Sequence, residues 1–215
     1  MPSVYELQQA LELAWKDGFD KQGSKQLGER VVGTRKWIGA SDVATVLRWA
    51  GIHAELYDFT VARGSNGTHP DLFNFVADFY TTPKAKGEAP SSALSALMKS
   101  GSTPTATNTD LPPIFLQHFG HSRTIVGVDI RSSDKNDAHL LILDPAFSQS
   151  KQIALRQRPI PIVRTGRPSV TLLRGVRVEA SRLVAKQYQL VVVKGLYPSE
   201  SARLASKLLT SIQIT

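Results

Sequence analysis

The chain has 215 residues, 41% of them apolar and 20% charged, which is enough for a buried core and too apolar for disorder throughout. No apolar run reaches about 18 residues, and Met1-Pro2-Ser3-Val4-Tyr5-Glu6 lacks the basic and apolar segments of a secretory leader. A soluble protein of the cytoplasm or nucleus is therefore expected, and a membrane protein is not. There is no cysteine, which excludes disulfides, thiolate metal sites and thiol catalysis by these residues, and the net charge is +8.

Ser3-Val4-Tyr5-Glu6 forms a capping box, and Val4, Leu7, Leu11 and Ala14 then recur at helical spacing, predicting a helix from about Val4 to Lys16. Gly18 and Gly23 loosen the chain. Ser41 is expected to cap a second helix with apolar positions Val43, Val46, Leu47 and Ala50, closed by Gly51. Ile52, Ala54, Leu56 and Phe59 alternate as a half-buried strand. Pro70 suits the first position of a third helix, with Leu72, Phe73, Val76 and Phe79 as its buried stripe. Between Thr81 and Leu111 the composition turns to Ser, Thr, Pro, Ala and Gly without an aromatic residue, so a disordered insertion is expected, with a short helix near Ala93 to Lys99.

From Pro113 the period changes. Ile114 to Phe119, Thr124 to Ile130 and His139 to Leu143 read as strands, and the polar stretch Arg131 to Asp137 makes the last two a hairpin. A basic segment with Pro159, Pro161 and Pro168 precedes a helix expected around Val170 to Ala185. A strand over Tyr188 to Val193 and a helix starting near Ser199 follow. The expected fold is α+β, one domain over 1–215 interrupted at 81–111, with a sheet drawn mainly from the C-terminal half.

Pairing partners in a hairpin have a constant sum of residue numbers, and a turn centred near Asp134 sets that sum at about 268. His121, just before the first strand, and Asp144, just after the second, are thereby predicted at one end of adjacent strands. A carboxylate beside an imidazole fixes its tautomer and stabilises the imidazolium, which is the base-and-orienter half of a catalytic triad. The same pair also occurs as an ordinary structural or solvated contact at strand ends. Both readings stand on spacing alone.

Gly18-Phe19-Asp20-Lys21-Gln22-Gly23, the run from Gly33-Thr34-Arg35-Lys36-Trp37 to Ile38-Gly39-Ala40-Ser41-Asp42, Gly67-Thr68-His69-Pro70, the run from Pro113-Ile114-Phe115-Leu116-Gln117-His118 to Phe119-Gly120-His121-Ser122-Arg123-Thr124, Leu141-Ile142-Leu143-Asp144-Pro145 and Lys186-Gln187-Tyr188-Gln189 supply a further argument. In this order they resemble the papain-like cysteine peptidase family of ubiquitin-fold-modifier-specific proteases and zinc-finger ubiquitin peptidases. The resemblance covers nearly the whole chain outside the insertion and is closer to the ubiquitin-peptidase branch. In the modifier-protease branch a His follows the Asp-Pro pair, where this chain has Ala146.

The resemblance implies a papain-like fold with a central, mostly antiparallel sheet and flanking helices. It implies His121 as general base and then acid, Asp144 as its orienter, no cofactor or metal, and ubiquitin or a ubiquitin-like modifier as partner. The family's nucleophile helix lies upstream of the segment matching Pro2-Ser3-Val4, so that helix is expected to be missing from this chain, which should be inactive by itself. Such a chain is expected to expose an apolar trough beside His121. The modifier tail is extended, ends in Gly-Gly and carries arginines, so Trp37 and Gly39 are candidates for the wall of its slot and Asp20 and Asp42 for its acidic neighbours. The competing reading makes Trp37 core and both acids caps.

Two rivals remain. One is a pseudoenzyme that binds ubiquitin without cleaving it. The other is a nucleic-acid-binding module using the basic C-terminal third, where residues 151–215 carry 12 Lys and Arg against two acids while residues 1–150 carry 14 against 16. The basic residues are scattered among apolar ones, which also describes a plain solvated face.

Overall fold

The computed structural model describes residues 2–81, 110–130, 138–146 and 176–215. The expected insertion lies, apart from its ends, outside the described residues, as do its short helix and the hairpin's turn. The described chain is α+β and divides into two compact units, each assembled from separate stretches of sequence.

The first unit comprises residues 1–60, 114–122 and 187–215. Helix α1 (Val4–Lys16) opens with the predicted capping box, Ser3 and Glu6 each bonding the other's backbone amide. A short helix α2 (Lys21–Gln26) follows, which the sequence reading missed. Helix α3 (Ala40–Trp49) is capped at Gly39, two residues earlier than the expected cap Ser41. Ser41 lies inside the helix, and the N-terminal bond is made by Asp42, whose Oδ2 accepts from Gly39 N–H at 2.8 Å. At three residues' separation the carboxylate reaches back to the free amide, whereas Ser41 sits too far along.

Strand β1 (Ile52–Phe59) pairs antiparallel with β6 (Tyr188–Leu196) and parallel with β7 (Ser211–Ile214). Strand β2 (Ile114–His118) pairs antiparallel with the other side of β6. Helix α3 packs on these strands through small residues: Ala40, Ala44 and Ala54 are fully buried beside Leu56 and Val191. Three methyl groups at that interface let helix and strand approach closely. Enlarging one of them would overpack the site by about 1–3 kcal/mol. On its other side α3 lends Val46 to a cluster of Leu11, Trp15 and Val31 under α1.

Buried Arg48 donates Nε to Ala54 O at 2.8 Å and NH1 to Ser206 O at 3.3 Å, so α3 holds both β1 and the C-terminal segment. Ser199 caps the predicted last helix, α5 (Glu200–Ala205).

The second unit comprises residues 61–113 and 123–186. Helix α4 (Pro70–Thr81) buries Leu72, Phe73, Val76, Ala77 and Tyr80. Tyr80, rather than the expected Phe79, completes the stripe, because its hydroxyl donates to Ile125 O at 2.9 Å. Strand β3 (His121–Ile130), most of which belongs here, pairs antiparallel with β4 (Ala138–Leu143), and β4 with β5 (Arg177–Glu179).

The helix expected at 170–185 is overturned where the chain is described. Residues 177–179 form β5 and 180–182 a 3-10 turn. Ile142 N–H donates to Val176 O at 2.9 Å, so pairing with β4 overrides the local periodicity.

Of the core side chains of β2 and β3, Ile114, Leu116 and Ile125 are each at most 1% exposed. Among the described residues no helix is long and apolar enough to cross a membrane.

Candidate active site

The candidate base stands on a tight connection. Strand β2 ends at His118 and β3 begins at His121, leaving Phe119 and Gly120 to turn the chain, both at positive φ (25° and 74°). Two successive left-handed residues are the signature of the tight hairpin turn whose twist matches that of strands. The His118 and His121 rings meet edge to face with centroids 5.8 Å apart, and His118 in turn lies 5.4 Å from the Tyr188 ring. His121 is thus the end of an aromatic series that begins on β6 and crosses β2.

Asp144 directly follows β4. Its Oδ2 accepts from Arg123 Nε at 2.8 Å, and its Oδ1 from Ala146 N–H at 2.9 Å. Arg123 and Asp144 are both largely withdrawn from solvent, with side chains 24% and 16% exposed. The sequence reading singled out His121 and Asp144 and missed Arg123 and His118. The register expected from the sequence sets Thr124 opposite Asp144, so Arg123 carried no signal of its own.

The candidate tail-binding residues are all in the first unit. Gln8 and Glu12, one helical turn apart on α1, face the loop that precedes Trp37. Gln8 bonds Thr34 O and Gly33 N–H, and Glu12 Oε1 accepts from both Val31 and Val32 N–H at 2.8 Å. Those two backbone bonds hold the Glu12 carboxyl below its ordinary range. Lys36 Nζ adds bonds to Leu27 O and Arg30 O. So anchored, the loop presents Trp37 at 80% exposure, which places it outside the core.

Gly39 packs against the Gln117 amide: a Cβ added there would lie 3.3 Å from Gln117 Oε1. That oxygen is buried and accepts no hydrogen bond. A buried acceptor without a donor, beside a glycine that leaves room for backbone, is a place where an extended peptide could donate an N–H. Gln117 carries a feature that residue spacing does not signal.

The two acids are brought together but are both engaged. Asp20 caps α2 from a left-handed backbone (φ 44°), its Oδ1 accepting from Gly23 N–H at 3.0 Å, and Thr45 Oγ1 lies 3.4 Å from its Oδ2. Asp42 is 5% exposed. Burial pushes its carboxyl up, the bond from Gly39 opposes this, and the charge of Asp20 adds to the rise. Among the described residues no group of three or more His, Asp or Glu is placed to hold a metal ion. Arg156, Arg158, Arg164 and Arg167, which belong to the basic C-terminal third, lie outside the described residues.

Comparison with known proteins adds an independent line. Residues 1–191 match the model of peptidase family C78. The chain is 33% identical over 217 residues to zinc finger-containing ubiquitin peptidase 1 of Homo sapiens, covering all of this chain and 33% of that protein. The rat protein of that name is 34% identical over 218 residues. Ubiquitin carboxyl-terminal hydrolase mug105 of Schizosaccharomyces pombe is 30% identical over 149 residues, which is 69% of this chain and 49% of that one. The chain thus spans about a third of the length of the first two relatives. Among solved structures, that of UfSP from C. elegans aligns with a TM-score of 0.43 at 17% identity, over 90% of this chain and 25% of that one.

Proposed function

Because this chain belongs to peptidase family C78, we propose that it forms the base-bearing and modifier-binding part of a thiol peptidase that cleaves after the C-terminal glycine of ubiquitin or a ubiquitin-like modifier. His121 takes the proton of the attacking thiol and returns it to the leaving amine, and Asp144 holds the imidazole in the required tautomer. The 215 residues contain no cysteine, so by themselves they bind the modifier without cleaving it. That same fact favours, as a second reading, a relative kept for binding alone.

The observation that supports the proposal most is within the first unit. Gly39, two residues after exposed Trp37, packs against Gln117, and Gln117 leads through His118 into the turn that ends at His121. An extended Gly-Gly tail laid along Gly39 would meet an aromatic wall, a free acceptor and then the base. Asp42 serves the slot as the residue that fixes the α3 N-terminus, and Asp20 as its neighbour.

Titration calorimetry of the chain with free ubiquitin tests this. Measurable binding is expected, weakened about tenfold by W37A through lost burial of the indole, with the melting temperature unchanged because the ring is solvent-exposed. Undiminished binding by W37A would remove Trp37 from the slot. Absence of ubiquitin binding would overturn the proposal. Salt-sensitive, tight binding to nucleic acid in its place would favour the basic-face rival.

A further inference from the structure

Phe119 is the one residue of the His118–His121 connection whose side chain has left the protein surface. It is 101% exposed, and its backbone lies at φ 25°. Exposed apolar side chains are ordinary when they stand singly on unstrained backbone. Here the two features act against each other. A left-handed position in a two-residue turn suits Asn or Gly and disfavours a bulky residue, so Phe at 119 carries a backbone cost. Full exposure means that it recovers nothing by packing in the free protein. Strain without an internal return, two residues from a candidate base, points outward to a ligand.

We propose that Phe119 is a specificity residue that grips the polypeptide on the leaving-group side of the scissile bond, namely the segment around the lysine to which the modifier is joined. This rests on the modifier-directed reading above and deepens it. The base must deliver its proton to the leaving nitrogen, so the imidazole of His121 lies near the substituents of that nitrogen, and Phe119 stands two residues from it in the same turn. The modifier tail, in contrast, is assigned to Trp37 and Gly39, against Gln117 on the strand before the turn. A single flat aromatic ring with no polar atom fits the aliphatic stem of a lysine and its apolar neighbours, and it makes little demand on their sequence.

The test compares two ligands for the 215-residue chain. One is free ubiquitin, and the other is ubiquitin joined through its C-terminal carboxyl to the lysine side chain of a short fluorescent peptide. The wild-type chain is expected to bind the conjugate about five- to tenfold tighter than free ubiquitin. F119A and F119N are expected to abolish that increment while leaving free-ubiquitin affinity unchanged. F119N supplies a second readout. It suits the turn better than Phe, so its melting temperature should be equal to or above that of the wild type, separating lost binding from lost folding.

Equal weakening for both ligands would place Phe119 on the modifier side and overturn the inference alone. So would an intact increment in F119A, or a lower melting temperature of F119N, which would show that the ring supports the fold. No binding of either ligand by the wild type would overturn the modifier reading and this inference together.

Discussion

Arg123 and Asp144 are joined by an ion pair that depends on one extra residue in β3. The ladder pairs Ile130 with Ala138 and Val128 with Leu140, a constant sum of 268, but Ile125 with Ile142 and Thr124 with Leu143, a sum of 267. The shift occurs at Val126, where β3 bulges. Continued by one step, the unbulged register would set Thr124 opposite Asp144, and the bulged register sets Arg123 there. Bulges re-aim side chains at strand ends near functional sites. This one gives the candidate orienting carboxylate a cation, with Arg123 Nε 2.8 Å from Asp144 Oδ2.

Replacing Arg123 by Gln should cost about 1–3 kcal/mol in chemical denaturation, because a half-buried carboxylate loses its charged donor. In a D144N background the same replacement should cost much less. Equal losses in the two backgrounds would mean that the pair carries no coupling.

Asp42 offers a pH-dependent contrast. Its carboxyl is raised by burial above the ordinary 3.8, so the folded chain binds that proton more readily than the unfolded one. Its ionisation therefore costs stability, and the cost grows as pH rises from the unfolded value through the folded one. D42N keeps an acceptor for Gly39 N–H without the buried charge. It should match the wild type in acid and exceed it by about 1 kcal/mol at neutral pH. D42A, which removes the cap, should be less stable than D42N by about 1 kcal/mol at every pH. Melts of both variants from acid to neutral pH check this, and a D42N no more stable than wild type at pH 7 would count against a buried-charge cost.

Asp58 behaves in the opposite sense. Burial alone would raise its carboxyl, but bonds from Ser211, Gln187, Gln189 and Gln213 outweigh it and hold the group below 3.8. Gln187 Nε2 lies 2.7 Å from Oδ1 and Gln213 Nε2 3.2 Å from Oδ2. A depressed folded value contributes stability above the unfolded value that is lost as pH falls through the folded one. D58N should therefore cost about 1–3 kcal/mol at pH 7, since its NH2 would face amide donors, and the deficit should shrink at acid pH. A deficit that does not change with pH would refute the charge-based account.

The chemical assignment is tested by turnover. The 215-residue chain should leave a fluorogenic ubiquitin C-terminal reporter uncleaved. In a polypeptide joining these residues to a thiol-bearing helix, H121A should lower kcat by several orders of magnitude and D144A by less, as members of a triad act as a unit. An H121A variant with full turnover would remove His121 from the chemistry.

What could be read from the sequence was local. The Ser3–Glu6 capping box, the Ser199 cap and the glycine closing α3 are decided within four residues, by groups that find each other in any helix that starts or ends there. The strands β1, β2, β3, β4 and β6 were legible from their apolar patterns, and the hairpin sum was right for the half of the ladder nearer the turn.

Decisions made across distance were not legible. Residues 177–179 became a strand because β4 offered an edge, and β7 formed beside β1 from four residues with little pattern of their own. Arg48, a surface residue by type, is buried because carbonyls of residues 54 and 206 converge on it. The partner of Asp144 turned on a bulge that no local propensity signals. A backbone donor or acceptor must be paired once buried, and which group pairs with it is chosen by whatever the folded chain brings alongside. The sequence alone thus singled out His121 and Asp144 as candidates by spacing and Trp37 by resemblance, while tertiary pairing decided that Asp144 holds Arg123, that Asp42 caps a helix and that Phe119 stands exposed two residues from His121.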